Sequence, residues 1–331
     1  MAMGFKTAFV YSTDENYVKL TAVSIHSLLT HNPGVPIVIL TNGISESSMA
    51  FLRKLVADRG GSLELIDVKE KLGKIKSLGA NEYVSYSTYA RFFICELLGD
   101  SYDRAIYIDC DTLIADSLDG LVNLDLHGKT FAIGYDCIHS AYKRIIGLPE
   151  NKPYYNAGIL LIDIRKWGEQ KCAERIFDYM RNVKATSILG DQDHFSITLA
   201  DDAIPFPPQY DFLPHYQMFR RAKDAQFVMD TPACCWYGDD EFAAAQERPV
   251  IYHFLGHTLG RPWFKESLNP LRPLYVQTAA EAGVPEVAEQ SRPIDFCYRI
   301  QWLCWKLLPR PLFLYACRAM YRYFFWSRYG V

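Results

Sequence analysis

IYIDCDTLIADSL, residues 106–118, sets two aspartates one residue apart at the end of an apolar run. The pair says little alone. The chain has 23 Asp among 331 residues, so chance gives about 1.6 Asp-x-Asp triplets. Two occur, Asp109-Cys110-Asp111 and Asp191-Gln192-Asp193. The flanking sequence has to decide. RAIYIDCD (104–111) reads as a buried strand, as do KTAFVYS (6–12), VPIVILTNG (35–43) and SLELIDV (62–68). Between them fall helical patterns. One runs from about Asn16 to Thr30, with Val18, Ala22, Ile25 and Leu29 on one face. A second follows Ser45 as cap and stops at Gly60. A third is TYARFFICELLG (88–99). Strands alternating with helices predict an α/β fold with a mainly parallel, doubly wound sheet. Continuous apolar strands fit burial on both faces.

In such sheets a ligand site lies beyond the carboxyl ends of the strands. Asp109 and Asp111 lie at such an end. Side chains two apart share a face of a strand, so both carboxylates can converge on a divalent cation. A plain turn after a strand is the other reading. Further strands are predicted in FAIGYD (131–136), which carries Asp136, in YYNAGILLIDIRKW (154–167) and in PVIYHFLG (249–256), with a helix over roughly 167–183. TDENY (13–17) closes the first strand. After Ser12 it offers Asp14 and Asn16 to a base and ribose, or as helix caps. Asn156 is a polar residue ahead of a strand. HFLGHTLGRPW (253–263) supplies His253, Gly256 and Arg261. Two carboxylates and an imidazole suit manganese.

Two nucleotide or phosphate chemistries fit poorly. A haloacid-dehalogenase-type phosphatase needs Thr or Val where Leu113 stands. A sugar-phosphate nucleotidyltransferase needs a glycine-rich loop after the first strand, and FVYSTDENY has no glycine.

The chain is 50% hydrophobic and 22% charged with net charge −3, which is globular composition. No nucleic-acid partner is expected. Nine cysteines without C-x-x-C spacing predict free thiols in a reducing cytoplasm. The start MAMGFKTAFVYS lacks a signal-peptide core, and no stretch approaches the length of a spanning helix. From Ser291 to Val331, however, seven Lys/Arg and one Asp give +6, leaving 28 basic and 37 acidic residues, −9, for the rest. This tail holds 12 aromatics. Phe296, Ile300, Leu303 and Leu307 make one helical stripe beside Arg299, Lys306 and Arg310. Arg318 and Arg322 share a face opposite Tyr323, Trp326 and Ala319. A basic, aromatic amphipathic helix predicts docking on an anionic membrane, here the inner face of the plasma membrane. A helical hairpin packed on the catalytic domain, or part of a homodimer contact, are the other readings. The expected division is a catalytic domain over 1–265, a linker over 266–292 and the helical tail over 293–331.

YSTYARF (86–92), IYIDCDTLIADSL, YYNAGILLIDIRKW, GDQDHF (190–195) and HFLG…RPW occur in an order and spacing that resemble family-8 retaining glycosyltransferases. The nearest resemblance is to bacterial enzymes that add galactose or glucose to lipopolysaccharide or related surface glycans. It covers about residues 5 to 265. It implies a GT-A fold, a UDP-sugar donor, Mn2+ (or Mg2+ in its place) and a glycan or glycolipid acceptor. By position it implies that Asp109, Asp111 and His253 hold the metal. Ser12, Asp14 and Asn16 would meet uridine, with Cys110 beside the donor between the two aspartates. Arg91 and Asp191 would bind the sugar hydroxyls, and Asn156 and Asp136 would line the transfer site. Gln192 would face the anomeric carbon, and Gly256 and Arg261 the phosphates. The family's Lys-Pro-Trp is replaced by Arg261-Pro262-Trp263, two residues later. Arginine keeps the charge and can grip phosphate with two donors. With Gln192 a poor nucleophile, same-face transfer is favoured over double displacement. A self-glucosylating primer and a non-catalytic nucleotide-sugar-binding module are the rival functions.

Overall fold

The apolar runs become the middle of one sheet. The strands are β1 (Thr7–Asp14), β2 (Pro36–Asn42), β3 (Ser62–Asp67), β4 (Arg104–Ile108), β5 (Thr112–Ile114), β6 (Phe131–Tyr135), β7 (Tyr155–Asp163), β8 (Ala203–Pro205) and β9 (Ile251–His253). Seven of them form a sheet in the order β3-β2-β1-β4-β7-β6-β8. The computed structural model describes residues 5–77, 86–99, 101–182, 189–255 and 259–330. The chain divides into two compact units. The first is Met1–Gly134 with Tyr155–Phe206, and the second is Tyr135–Tyr154 with Pro207–Val331.

In the first unit, Ala8, Val10, Tyr11, Val38, Ile39, Leu40, Ile106, Ile108 and Ile159–Ile162 are wholly buried. Each such aliphatic side chain contributes about 1.5–3 kcal/mol of transfer free energy. The pairs β1–β2, β2–β3 and β1–β4 are parallel, as expected. The β4–β7 pair is antiparallel, with Ile108 opposite Ile159. That reversal puts the start of β7 beside the end of β4, at the same edge of the sheet.

Helix α1 (Val18–His31) is buried on nearly every side, not along one stripe. Its polar residues survive burial by pairing. Ser24 Oγ meets Tyr11 Oη at 3.1 Å and Thr112 Oγ1 at 2.7 Å, and Ser27 Oγ accepts from the Ile114 N–H at 3.0 Å. Helix α2 (Glu46–Ala57) starts at Ser45, whose hydroxyl accepts from the Ser48 N–H, and Gly60 takes φ +70° in the turn after it. TYARFFICELLG is not one α-helix: Tyr86–Phe93 is a 3-10 helix and Ile94–Leu98 an α-helix. The helix expected over 167–183 is two, Ile164–Glu169 and Cys172–Asn182, broken where Lys171 adopts φ +51°.

In the second unit, the stretch expected to be a linker carries the helix Arg272–Glu281, which buries Tyr275 and Ala279. The tail folds as Phe296–Leu307 and Arg310–Tyr329. Phe313, Leu314 and Cys317 join a core with Phe212, Tyr216, Trp236 and Phe242. Arg310 Nη2 lies 2.7 Å from Asp224. Arg322 lies 3.0 Å from Asp230, and Arg318 pairs with the same carboxylate. Three basic residues that sequence assigned to a membrane face are thus matched by acids of this unit. Among the described residues, no helix is long and apolar enough to cross a membrane.

Candidate functional site

Because β7 runs against β4, its first residues close over the residues that follow β4. The Asp109 N–H donates to Gly158 O at 2.8 Å. Asn156, 1% exposed, accepts the Gly158 N–H on Oδ1 at 2.8 Å. Gln192 Oε1 accepts the Ala157 N–H at 3.4 Å. Asp109, Asn156 and Gln192, far apart in sequence, therefore meet at the carboxyl edge of β4.

Arg91 binds them together. It comes from the 3-10 helix and is 2% exposed. Nη2 donates to Asp109 Oδ1 at 2.8 Å and to Tyr107 Oη at 3.1 Å. Nε donates to Thr88 O at 2.8 Å, and Nη1 donates to Ala157 O. Nε also lies 3.0 Å from Asp191 Oδ2. Tyr107 Oη donates to Asp109 Oδ1 at 2.7 Å, and the guanidinium sits 4.2 Å from the Tyr107 ring centroid. Burial alone would lower the Arg91 pKa, but the Asp109 and Asp191 carboxylates outweigh it and hold it above its ordinary value. The donors of Arg91 go to protein acceptors, so it sets where the two carboxylates stand.

Asp191 opens the helix Asp191–Thr198 after Gly190, which takes φ +65°. Burial pushes its carboxyl up to about 6, against the pull of Arg91. The sign of the linkage follows. The folded chain holds a proton that the unfolded chain has lost above its ordinary value of 3.8. Stability therefore falls as pH rises from about 4 to about 6, and this contribution is level above that. Asp191→Asn removes the titration. In metal-free protein, stability of the variant relative to wild type should rise by up to about 3 kcal/mol between those pH values, read from urea midpoints. A difference flat with pH would contradict the burial of this charge.

At the ends of β1 and β2, Asp14 Oδ1 accepts the Asn16 N–H at 3.0 Å. Asn16 is exposed. Ser12 is 6% exposed, and its hydroxyl donates to Ser87 O at 2.7 Å, so its side chain braces the 3-10 helix. Cys110 also turns inward. Its thiol donates to Ser12 O and accepts from Thr21 Oγ1, both at 3.0 Å, and burial pushes its pKa up to about 12. Asp111 is half-exposed.

The second unit holds the other candidates. His253 Nδ1 lies 2.8 Å from Asp211 Oδ1. Asp136 donates its N–H to Tyr154 O at 3.0 Å. The Arg261 guanidinium lies 5.4 Å from the Trp263 ring centroid. Gly256 lies outside the described residues. Sequence reasoning missed Tyr107, Ser87 and Asp211. Tyr107 could have been found, since it precedes Asp109 by two on the same strand. Asp211 gave no signal.

Residues 8–267 match the model of glycosyl transferase family 8. Glycosyltransferase GlyE of Streptococcus pneumoniae serotype 4 is 25% identical over 272 residues, covering 82% of this chain and 60% of GlyE. The chain thus spans under two thirds of that relative's length. The lipopolysaccharide 1,2-glucosyltransferase of Escherichia coli K12 is 23% identical over 265 residues, covering 78% and 73%. Among solved structures, the galactosyltransferase LgtC with donor and acceptor sugar analogues superimposes with a TM-score of 0.68 at 21% identity, covering 88% of this chain and 99% of LgtC. The architecture is the shared GT-A fold: a mostly parallel central sheet flanked by helices, with further helices at the C-terminal end.

Proposed function

The chain belongs to glycosyltransferase family 8, and from that premise we propose that it is a retaining hexosyltransferase. It moves galactose or glucose from a UDP-sugar to a hydroxyl of a cell-surface glycan or glycolipid. The observation that carries the reading is the buried Arg91 between Asp191 and the half-buried Asp109 at the carboxyl edge of β4, inside a family match that spans every candidate residue. Relatives named lipopolysaccharide 1,2-glucosyltransferase and 1,3-galactosyltransferase support a lipopolysaccharide-type acceptor.

The metal ligands are Asp109, Asp111 and His253. Two carboxylates and an imidazole, with the Cys110 thiol turned into the core, fit Mn2+ or Mg2+ better than a thiolate-seeking ion. Bound there, the ion would neutralise charge on the departing diphosphate. Ser12, Asp14 and Asn16 meet uridine. Gly256 and Arg261 receive the phosphates. Arg91 and Asp191 bind the sugar hydroxyls. Asn156, Asp136 and Gln192 line the transfer site. Asp191 is 4% exposed and ion-paired, and Gln192 is a neutral amide. Neither is a ready nucleophile, which favours same-face attack by the acceptor hydroxyl over a covalent intermediate.

The tail extends the proposal to an anionic membrane surface over residues 293–331. Phe296 (75% exposed), Leu307 (75%), Tyr323 (67%) and Trp326 (66%) support it, as do exposed Arg299, Lys306 and Arg328. Arg310, Arg318 and Arg322 are engaged with the protein's own acids.

The test is UDP release from a panel of UDP-sugars, with Mn2+ or with EDTA. Slow, metal-dependent release from one UDP-hexose is expected. Metal-independent release, or release only from a UDP-sugar that is not a UDP-hexose, would overturn the reading.

A further inference from the structure

We propose that Asp211 is a positioning residue that holds His253 in the tautomer with its proton on Nδ1, so that Nε2 is the nitrogen presented to a divalent cation. The inference rests on the reading of His253 as a metal ligand. His253 Nδ1 and Asp211 Oδ1 are 2.8 Å apart, and the two side chains are 2% and 1% exposed. An ionised carboxylate only accepts, so the proton of a neutral ring belongs on Nδ1. Burial on this scale isolates the pair from water, which would otherwise let the ring change tautomer at little cost.

The backbone fixes both partners before the side chains meet. Asp211 ends the 3-10 helix Pro208–Asp211. The Val250 N–H donates to Gln209 O at 2.8 Å, Phe212 N–H to Ile251 O at 2.8 Å, and His253 N–H to Phe212 O at 3.2 Å. This parallel bridge, with Phe212 opposite Tyr252, puts residue 211 beside residue 251, and so on the same face as His253 two residues further on. The Phe212 and Tyr252 rings meet edge-to-face, with centroids 5.7 Å apart. A carboxylate behind a ligating imidazole fixes ring orientation and raises its basicity, and loss of such a partner weakens metal binding by about 10–100-fold.

The experiment uses the full chain and Mn2+ alone. Free Mn2+ is counted by electron paramagnetic resonance in titrations of wild type, His253→Ala and Asp211→Asn. The His253 tautomer is read by nitrogen-15 NMR in metal-free protein. The expected result is an Nδ1-protonated His253 in wild type, and Mn2+ affinity lowered about 10–100-fold in Asp211→Asn, with more Nε2-protonated ring. If His253→Ala binds Mn2+ like wild type, the metal reading itself fails. If His253→Ala loses affinity while Asp211→Asn keeps it, the role of Asp211 is overturned and the metal reading stands. An Nε2-protonated His253 in wild type overturns it without any variant, so the proposal stays testable if Asp211→Asn does not fold.

Discussion

Arg91→Met unfolds at a urea midpoint corresponding to a loss of about 3–5 kcal/mol, the range for breaking one side of a buried ion pair. The methionine replaces most of the volume, so the loss is electrostatic. Arg91 is 2% exposed and faces carboxylates of Asp109 and Asp191 at 2.8 and 3.0 Å. Without it, two negative charges remain at one edge of a sheet, and the acceptors Thr88 O and Ala157 O lose their donor. Asp191 already titrates high and would relieve part of the cost by taking a proton. The loss should therefore shrink toward about pH 5, where that proton is cheaper to bind. Arg91→Lys should recover only part of the stability, since an ammonium cannot reach four acceptors in one plane. A loss under about 1 kcal/mol at neutral pH would show that the cluster does not hold the site together.

Asp111→Asn has the opposite profile. Its side chain is half-exposed, and the substitution is isosteric, so stability should move by no more than about 0.5 kcal/mol. Metal-dependent UDP release should nevertheless fall at least about 100-fold, equivalent to roughly 2.7 kcal/mol of transition-state stabilisation. Asp109→Asn should lose both, because Asp109 carries one arm of the Arg91 pair as well as a metal position. The contrast between two aspartates one residue apart separates a structural carboxylate from one that serves the ligand. If Asp111→Asn releases UDP within about 3-fold of wild type, Asp111 is not a metal ligand.

The sheet was readable because strands buried on both faces leave continuous apolar runs, as RAIYI and ILLI do. The direction of β7 was not readable, since an apolar run is the same pattern in a parallel or an antiparallel neighbour. That reversal matters most for the site, because it delivers Asn156 and Ala157 to the end of β4. Helix α1 hid most of its burial behind Ser24 and Ser27, whose partners Thr112 and Ile114 lie elsewhere in the chain. Asp109 and Asp111 were singled out as candidates by their place after a strand and the company of four other motifs. The burial of Arg91 and the inward turn of Ser12 depend on which surface the 3-10 helix covers, and residue spacing does not carry that, whereas alternation does point Cys110 away from the two aspartates. The His253–Asp211 pair spans 42 residues and no local pattern announces it. In the tail, helical spacing separated the arginine face from the aromatic face. It did not say that Asp224 and Asp230 would receive the arginines.

The most direct test is calorimetric titration of UDP into the folded wild-type chain, once with Mn2+ and once with EDTA. A donor site completed by a metal on Asp109, Asp111 and His253 predicts binding that weakens at least about 10-fold, or 1.4 kcal/mol, when the metal is removed. Failure of the folded, Mn2+-loaded protein to bind UDP, or equal binding in EDTA, would contradict a metal-completed uridine-diphosphate site at this edge of the sheet.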